Sequence, residues 1–177
     1  MPTAHVFIAT SLDGFIARTD GDIDWLTGFS APGEDHGYDA HIGKMDGIIM
    51  GRGTYEKVLT FDQWYYSKPV LVLSRSLDPA TVPAHLAGKV EILAATPEDV
   101  MDHAAARGWN RVYADGGLLI QSFLRAGLIE DTIISRIPIL IGQGIPLFGD
   151  IGSDIALDHV ETTAFPSGLV QSRYRVR

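Results

Sequence analysis

The chain has 177 residues, a formal net charge of −8 and no cysteine. That length suits one domain spanning 1–177 with a core of its own. The acidic balance, without a block of Lys and Arg to offset it, argues against nucleic acid or an anionic membrane as a main partner. The absence of cysteine excludes disulfides, thiolate metal sites and a cysteine nucleophile. No stretch reads as a signal peptide or a spanning helix, so a cytoplasmic protein is expected.

Val6-Phe7-Ile8-Ala9 is a compact apolar run that predicts a first, central strand ending at Thr10-Ser11. Asp13-Gly14 between apolar neighbours is turn chemistry. Residues 18–24 are polar and predict a loop leading to Trp25-Leu26; residues 28–37, with Pro32-Gly33, again read as loop. A short helix is expected from Tyr38 to Lys44, with Tyr38, Ile42 and Met45 on one face. Ile48-Ile49-Met50 predicts a buried strand that breaks at Gly51, with helix after Gly53. Residues 61–66 form an aromatic-rich loop that suits a pocket wall, a dimer face or, most plainly, a packed surface loop. Val70-Leu71-Val72-Leu73 is a second interior strand, stopping at Ser74-Arg75-Ser76.

Residues 78–87 are irregular, and Val90-Glu91-Ile92-Leu93 is a short strand. Thr96-Pro97-Glu98-Asp99 is a helix start, with an N-cap threonine, proline at the first position and acids in the first turn. This helix is expected to stop at Gly108. Val112-Tyr113-Ala114 predicts a strand ending in Asp115-Gly116-Gly117. A helix follows from Leu118, with Leu119, Phe123 and Leu124 on its apolar face and Gly127 closing it. Residues 132–138 are strand-like, and 138–148 read as a loop with at most a short extended piece. Residues 156–165 and 169–176 predict a final antiparallel pair through Pro166-Ser167-Gly168. Strands alternating with helices predict an α/β sheet, mostly parallel, with an antiparallel edge.

Three turns stand out: Gly51–Thr54, Ser74–Ser76 and Asp115–Leu118. Each follows an apolar strand, and open α/β sheets bind ligands beyond the carboxyl ends of their strands. If those strands are neighbours, two helix N-termini, Arg52 and Arg75 line one crevice, which suits a pyrophosphate and a further phosphate. Taken singly, each is equally an ordinary turn with a solvated arginine.

These residues also resemble a known family. Ile48-Ile49-Met50-Gly51-Arg52-Gly53-Thr54-Tyr55-Glu56 looks like the strand and cofactor-binding helix of dihydrofolate reductases. Val72-Leu73-Ser74-Arg75 resembles their next strand and turn, and Asp115-Gly116-Gly117 their glycine pair before a helix. Ser11-Leu12-Asp13-Gly14-Phe15-Ile16-Ala17, Leu128-Ile129-Glu130-Asp131 and the 137–148 stretch are most similar to the branch that includes the reductase domain of riboflavin biosynthesis. The resemblance implies a dihydrofolate-reductase-like three-layer sandwich with a C-terminal antiparallel hairpin. It implies NADPH as cofactor. Gly51, Arg52, Gly53 and Thr54 would hold phosphate, with Leu73, Ser74, Arg75 and Ser76 meeting the adenosine 2′-phosphate. Asp115, Gly116, Gly117 and Leu118 would pack on the pyrophosphate, and Ala9 and Ile16 would bracket the nicotinamide. Residues 13–25 would form a loop over the active site, with Asp24 and Trp25 near the substrate.

One departure limits the implied activity. True dihydrofolate reductases carry a carboxylate a few residues beyond the tryptophan; here Trp25-Leu26-Thr27-Gly28-Phe29-Ser30 has no acid. The deaminase domain that usually accompanies the riboflavin-pathway reductase needs zinc-binding cysteines, and this chain has none. The reading is an NADPH-dependent reductase of a small, flat substrate. Its rivals are dihydrofolate reductase itself and an NADP-binding sensor without catalysis. Ordered water and Asp13 are the candidate proton donors, with a turn at Gly14 as the bland role of Asp13. The six histidines show no metal spacing, so no metal is expected. A homodimer is expected, with the apolar 137–148 stretch as its interface.

Overall fold

Short apolar runs become interior strands where both of their faces can be covered. A computed structural model describes residues 1–29 and 33–177 of the chain; Pro32, read as part of a loop, lies outside the described residues. In chain order the elements begin with β1 (Thr3–Ser11), β2 (Phe15–Ala17), α1 (Asp24–Thr27), α2 (Tyr38–Gly43) and β3 (Gly47–Gly51). They continue with α3 (Arg52–Val58), β4 (Val70–Leu73), β5 (Val90–Leu93), α4 (Pro97–Ala106) and β6 (Arg111–Asp115). The last are α5 (Gly117–Arg125), β7 (Ile129–Ile137), β8 (Ile145–Pro146), β9 (Leu157–Ala164) and β10 (Val170–Val176).

Eight of the strands form one sheet in the order β5-β4-β3-β6-β1-β7-β10-β9. From β5 through β7 every pairing is parallel, and β10 and β9 close the sheet antiparallel. Helices cover both faces of the parallel part. Val100, Met101 and Ala104 of α4, and Ile120 and Phe123 of α5, pack with Val6, Ile49, Leu71 and Val112 on one face. Ile42 of α2, and Tyr55 and Val58 of α3, pack with Ile48, Met50, Val70 and Tyr113 on the other. Ile48, Ile49, Met50 and Leu71 are fully buried, and burial of each such side chain favours folding by roughly 1.5–3 kcal/mol. The fold is therefore the expected α/β sandwich.

Thr96 caps α4 as expected: its Oγ1 accepts from the Asp99 N–H at 3.1 Å, and Asp99 accepts from the Thr96 N–H at 3.4 Å. Gly127 closes the turn after α5 at φ +66°, a conformation that L side chains avoid.

Several features depart from the expectation. β1 and β7 extend beyond their apolar runs, because pairing with neighbours carries the ladder through Thr3 and Ile129. α3 starts at Arg52, so Arg52, Gly53 and Thr54 form its first turn rather than a preceding loop. α1 forms mostly where the sequence assigns no element, after the 18–24 loop; its N-cap makes no side-chain bond, and Trp25 seated on Ile137 and Leu169 anchors it. The short extended piece expected within 138–148 is present as β8, and it pairs with β2 as a second, two-stranded sheet, Phe15 opposite Pro146 and Ala17 opposite Ile145.

Candidate active site

The strand order puts β3 between β4 and β6, with Met50 opposite both Val72 and Asp115. Their carboxyl ends open together into a cavity of about 1330 Å3. Gly51–Thr54, Leu73–Arg75 and Asp115–Leu118 all line it, with Ala9 of β1 and Ile16 of β2.

Two glycines let these pieces meet. Gly116 stands at φ +104°, and a Cβ there would lie 2.6 Å from Thr54 Oγ1. A Cβ on Gly117 would lie 2.8 Å from the Pro146 carbonyl and 3.1 Å from Ile16 Cδ1. Only bare backbone brings the first turns of α3 and α5 this close to each other and to β2 and β8. Neither helix start has a side-chain cap, so N–H groups at both ends face the cavity without an acceptor of that kind. This arrangement attracts anions.

The cations are gathered on the same side. Arg52 donates from Nε to Glu56 at 2.8 Å and from Nη1 to Ser76 Oγ at 2.9 Å, which joins α3 to the turn after β4. Ser74 Oγ stiffens that turn by accepting from the N–H groups of Ser76 at 3.2 Å and Leu77 at 3.1 Å. Arg75 is exposed at the cavity rim. Lys57 reaches across to Asp22 at 2.9 Å and holds the 18–23 loop over the opening. Arg18 grips Asp24 through two bonds, at 2.6 and 3.0 Å, within that loop.

The other side, beyond β6 toward β7, is aromatic and apolar, with Phe7, Leu26, Phe29, Tyr38 and Leu169 on its walls. Asp115 sits where the two sides join. Tyr66 Oη donates to its Oδ2 at 3.4 Å. Burial pushes the Asp115 carboxyl up to about 6, against the opposing pull of hydrogen bonds from Tyr66 and the Gly116 N–H. Burial first, and then the Asp115 charge, raise the phenols of Tyr38, Tyr66 and Tyr113, so they stay neutral. Tyr113 Oη donates to the Phe7 carbonyl at 2.9 Å.

Four expected site residues lie elsewhere. Asp13 does not line the cavity. It accepts from Ser11 Oγ at 2.6 Å and from the N–H groups of Ile141 at 3.3 Å and Gly142 at 2.8 Å. These bonds, the Ser11 hydroxyl foremost, hold its carboxyl below the usual carboxylate range, which is the turn role rather than that of a proton donor. Asp24 is taken by Arg18, and Trp25 is buried against Ile137 and Leu169. Ser76 lies behind Arg52. Leu26 and Phe29, not Trp25, face the cavity. The 61–66 loop, read most plainly as a surface loop, supplies cavity walls through Phe61, Tyr65 and Tyr66. Tyr38, His36, Ser135 and Leu169 were not anticipated either. Of these only Tyr38 carries a sequence signal, its place on the apolar face of α2.

Sheet order, the glycine-built double helix start and a cleft across the strand ends define a dihydrofolate-reductase-like fold. The dihydrofolate reductase of Enterococcus faecalis superposes with a TM-score of 0.69 over 99% of this chain and 96% of its own, at 15% identity, a likeness of fold alone. Residues 2–171 match the family model of the RibD C-terminal domain, and the chain belongs to that family. A crystal structure of a Shewanella sp. PV-4 protein, provisionally described as a riboflavin biosynthesis protein, matches over 99% of both chains with a TM-score of 0.92 and 40% identity. The uncharacterized protein YwjB of Bacillus subtilis is 36% identical over 154 residues, 86% of each chain.

Proposed function

We propose that the chain is a cytoplasmic NADPH-dependent reductase of a small planar substrate. The observation that carries this reading is the junction at Asp115. A carboxyl with a raised pKa stands between an anion-binding cradle and an aromatic-walled chamber in one cavity. Perturbed acids in clefts mark sites of proton transfer.

A bound nicotinamide dinucleotide would supply a hydride there. The remaining work falls to the chain. The first turns of α3 and α5, with Arg52, hold the pyrophosphate. Arg75 and the Ser74–Ser76 turn take the 2′-phosphate and so favour NADPH over NADH. Gly116 and Gly117 keep the backbone open beside it, while Ala9 and Ile16 flank the ring. The loop tied by Lys57 and Asp22 excludes water. Asp115 holds a proton on its carboxyl near pH 6 and delivers it to the substrate atom next to the reduced carbon. Nothing in α1 offers the carboxylate that a pterin requires, because Asp24 is bound to Arg18; this disfavours dihydrofolate as substrate.

The chain also acts as a homodimer in this reading. Within the expected interface Ile137 and Leu147 are spent internally, at 1% exposure, while Leu140, Ile145 and Phe148 remain exposed. The better surface is the outer hairpin: every residue of β9 is exposed, including Leu157 and Val160. Unpaired edge strands of this kind require a partner or a guard.

Titration with NADPH and NADH, followed by a turnover panel of pterins, pyrimidines, flavins and quinones, tests the reading. NADPH binds and is oxidised with at least one class. If NADPH binds and no class oxidises it, the sensor reading replaces the enzyme; if dihydrofolate alone is reduced, dihydrofolate reductase does.

A further inference from the structure

The cavity divides by charge. Its cations are Arg52, Lys57 and Arg75, all on α3 or the turn after β4. Among the described residues, the chamber between β1, β7 and α2 is lined by no lysine or arginine. Ser30, Ala31 and Pro32, which precede that wall in sequence, carry no charge. His36, at its rim, is already committed. Its Nε2 bonds Glu34 at 3.0 Å, and its ring stands edge-on to Phe165 at 4.7 Å.

The polar groups that remain form a specific set. Asp115 presents an acceptor that gives way to a donor as it protonates. Tyr38, edge-on to Phe7 at 5.6 Å, has a hydroxyl without a hydrogen-bond partner among the described residues. Ser135 Oγ accepts from Gln171 Nε2 at 2.9 Å, which leaves its own proton to donate. Flat aromatic walls surround the set. A phosphate or carboxylate brought here would lose its water and meet a carboxylate instead of a cation, which opposes binding. An uncharged ring with an N–H edge and a carbonyl edge would find an acceptor at Asp115 and donors at Tyr38 and Ser135.

We infer that the substrate chamber selects an uncharged planar heterocycle bearing N–H and C=O edges, and rejects the same heterocycle carrying a phosphate or carboxylate. This rests on the reductase reading, whose cofactor end is tested separately.

Riboflavin and its 5′-phosphate, FMN, differ only by the phosphate and serve as the matched probes. NADPH affinity is measured first; its absence overturns the reductase reading and this inference with it. On the NADPH-loaded protein, riboflavin is expected to bind at least about 10-fold more tightly than FMN by fluorescence quenching. Equal binding, tighter FMN, or no riboflavin binding up to its solubility overturns the charge selection while leaving the cofactor reading intact. Asp115→Asn removes the repelling charge and is expected to narrow the riboflavin preference by about 5-fold or more. An unchanged preference in that variant assigns the selection elsewhere and overturns the role given to Asp115.

Discussion

Asp115 stands where the anion-binding and aromatic sides of the cavity join, and burial raises its carboxyl to about 6. Its place before Gly116-Gly117 marked it as part of a turn. Its acidity is set first by burial, and then by opposing hydrogen bonds from Tyr66 of the 61–66 loop, the Gly116 N–H and Tyr113 of its own strand. No spacing along the chain joins Tyr66 to Asp115 or shows the burial, so the role was invisible until the segments packed. A folded pKa of about 6 against the ordinary 3.8 of an aspartate means that the native state holds this proton more firmly than the unfolded chain. The stability it contributes is present below pH 4 and is lost as pH rises through about 6. Asp115→Asn is therefore expected to raise Tm at pH 8 by about 5 °C, from about 2 kcal/mol, and to leave it unchanged near pH 4. The same variant should lower kcat by about 100-fold or more. A loss of Tm at pH 8 would contradict the buried-charge account. Arg75 makes the second residue-level case. Arg75→Ala should reduce the NADPH-over-NADH preference by about 10-fold, measured by competitive titration; equal loss for both cofactors would remove it from the 2′-phosphate site.

At the scale of elements, the three turns were legible because each joins a β-run to glycine and helix-start chemistry. Their convergence was conditional on strand order, which the sequence leaves open and which the β4-β3-β6 adjacency supplies. α1 and the β2–β8 pair were not legible. A four-residue helix has too little periodicity, and a strand of two residues depends wholly on its distant partner. The approach of α3 to α5 rests on Gly116. Gly116→Ala must push Thr54 away and adopt an unfavourable φ. It is expected to weaken NADPH binding by about 10-fold and to lower stability by about 1–3 kcal/mol, read by titration and by chemical unfolding. Lys57→Ala frees the loop held by Asp22. An exposed ion pair adds little to stability, so Tm should barely move while cofactor release quickens a few-fold in stopped-flow fluorescence.

At the scale of the whole molecule, a charge network around the buried Asp131 ties β1, β7 and β10 together. His5 on β1 bonds Asp131 on β7 at 3.0 Å, and Arg173 on β10 bonds the other oxygen at 2.9 Å. Burial alone would raise the Asp131 carboxyl, but these bonds outweigh it and hold it at about 2. A depressed carboxylate stabilises above its unfolded pKa, and this support is lost as pH falls from about 4 through 2. Asp131→Asn should cost about 3 kcal/mol at pH 7 and flatten the acid limb of the unfolding curve. The β9 edge makes the assembly prediction: light scattering should give twice the 19.2 kDa chain mass, and a lysine at Val160 should shift the population toward monomer. Fold class followed from the alternation of strands and helices, whereas the exposed outer hairpin could be recognised only once β9 was known to be the last strand.

The turn from Gly51 to Thr54, joined to those at Ser74 and Asp115, is the centre of the account, and direct titration with NADPH and NADH tests it most simply. Following nicotinamide fluorescence, the account predicts saturable NADPH binding in the micromolar range, tighter than NADH by about 10-fold or more. Failure of both to bind below about 1 mM would contradict it.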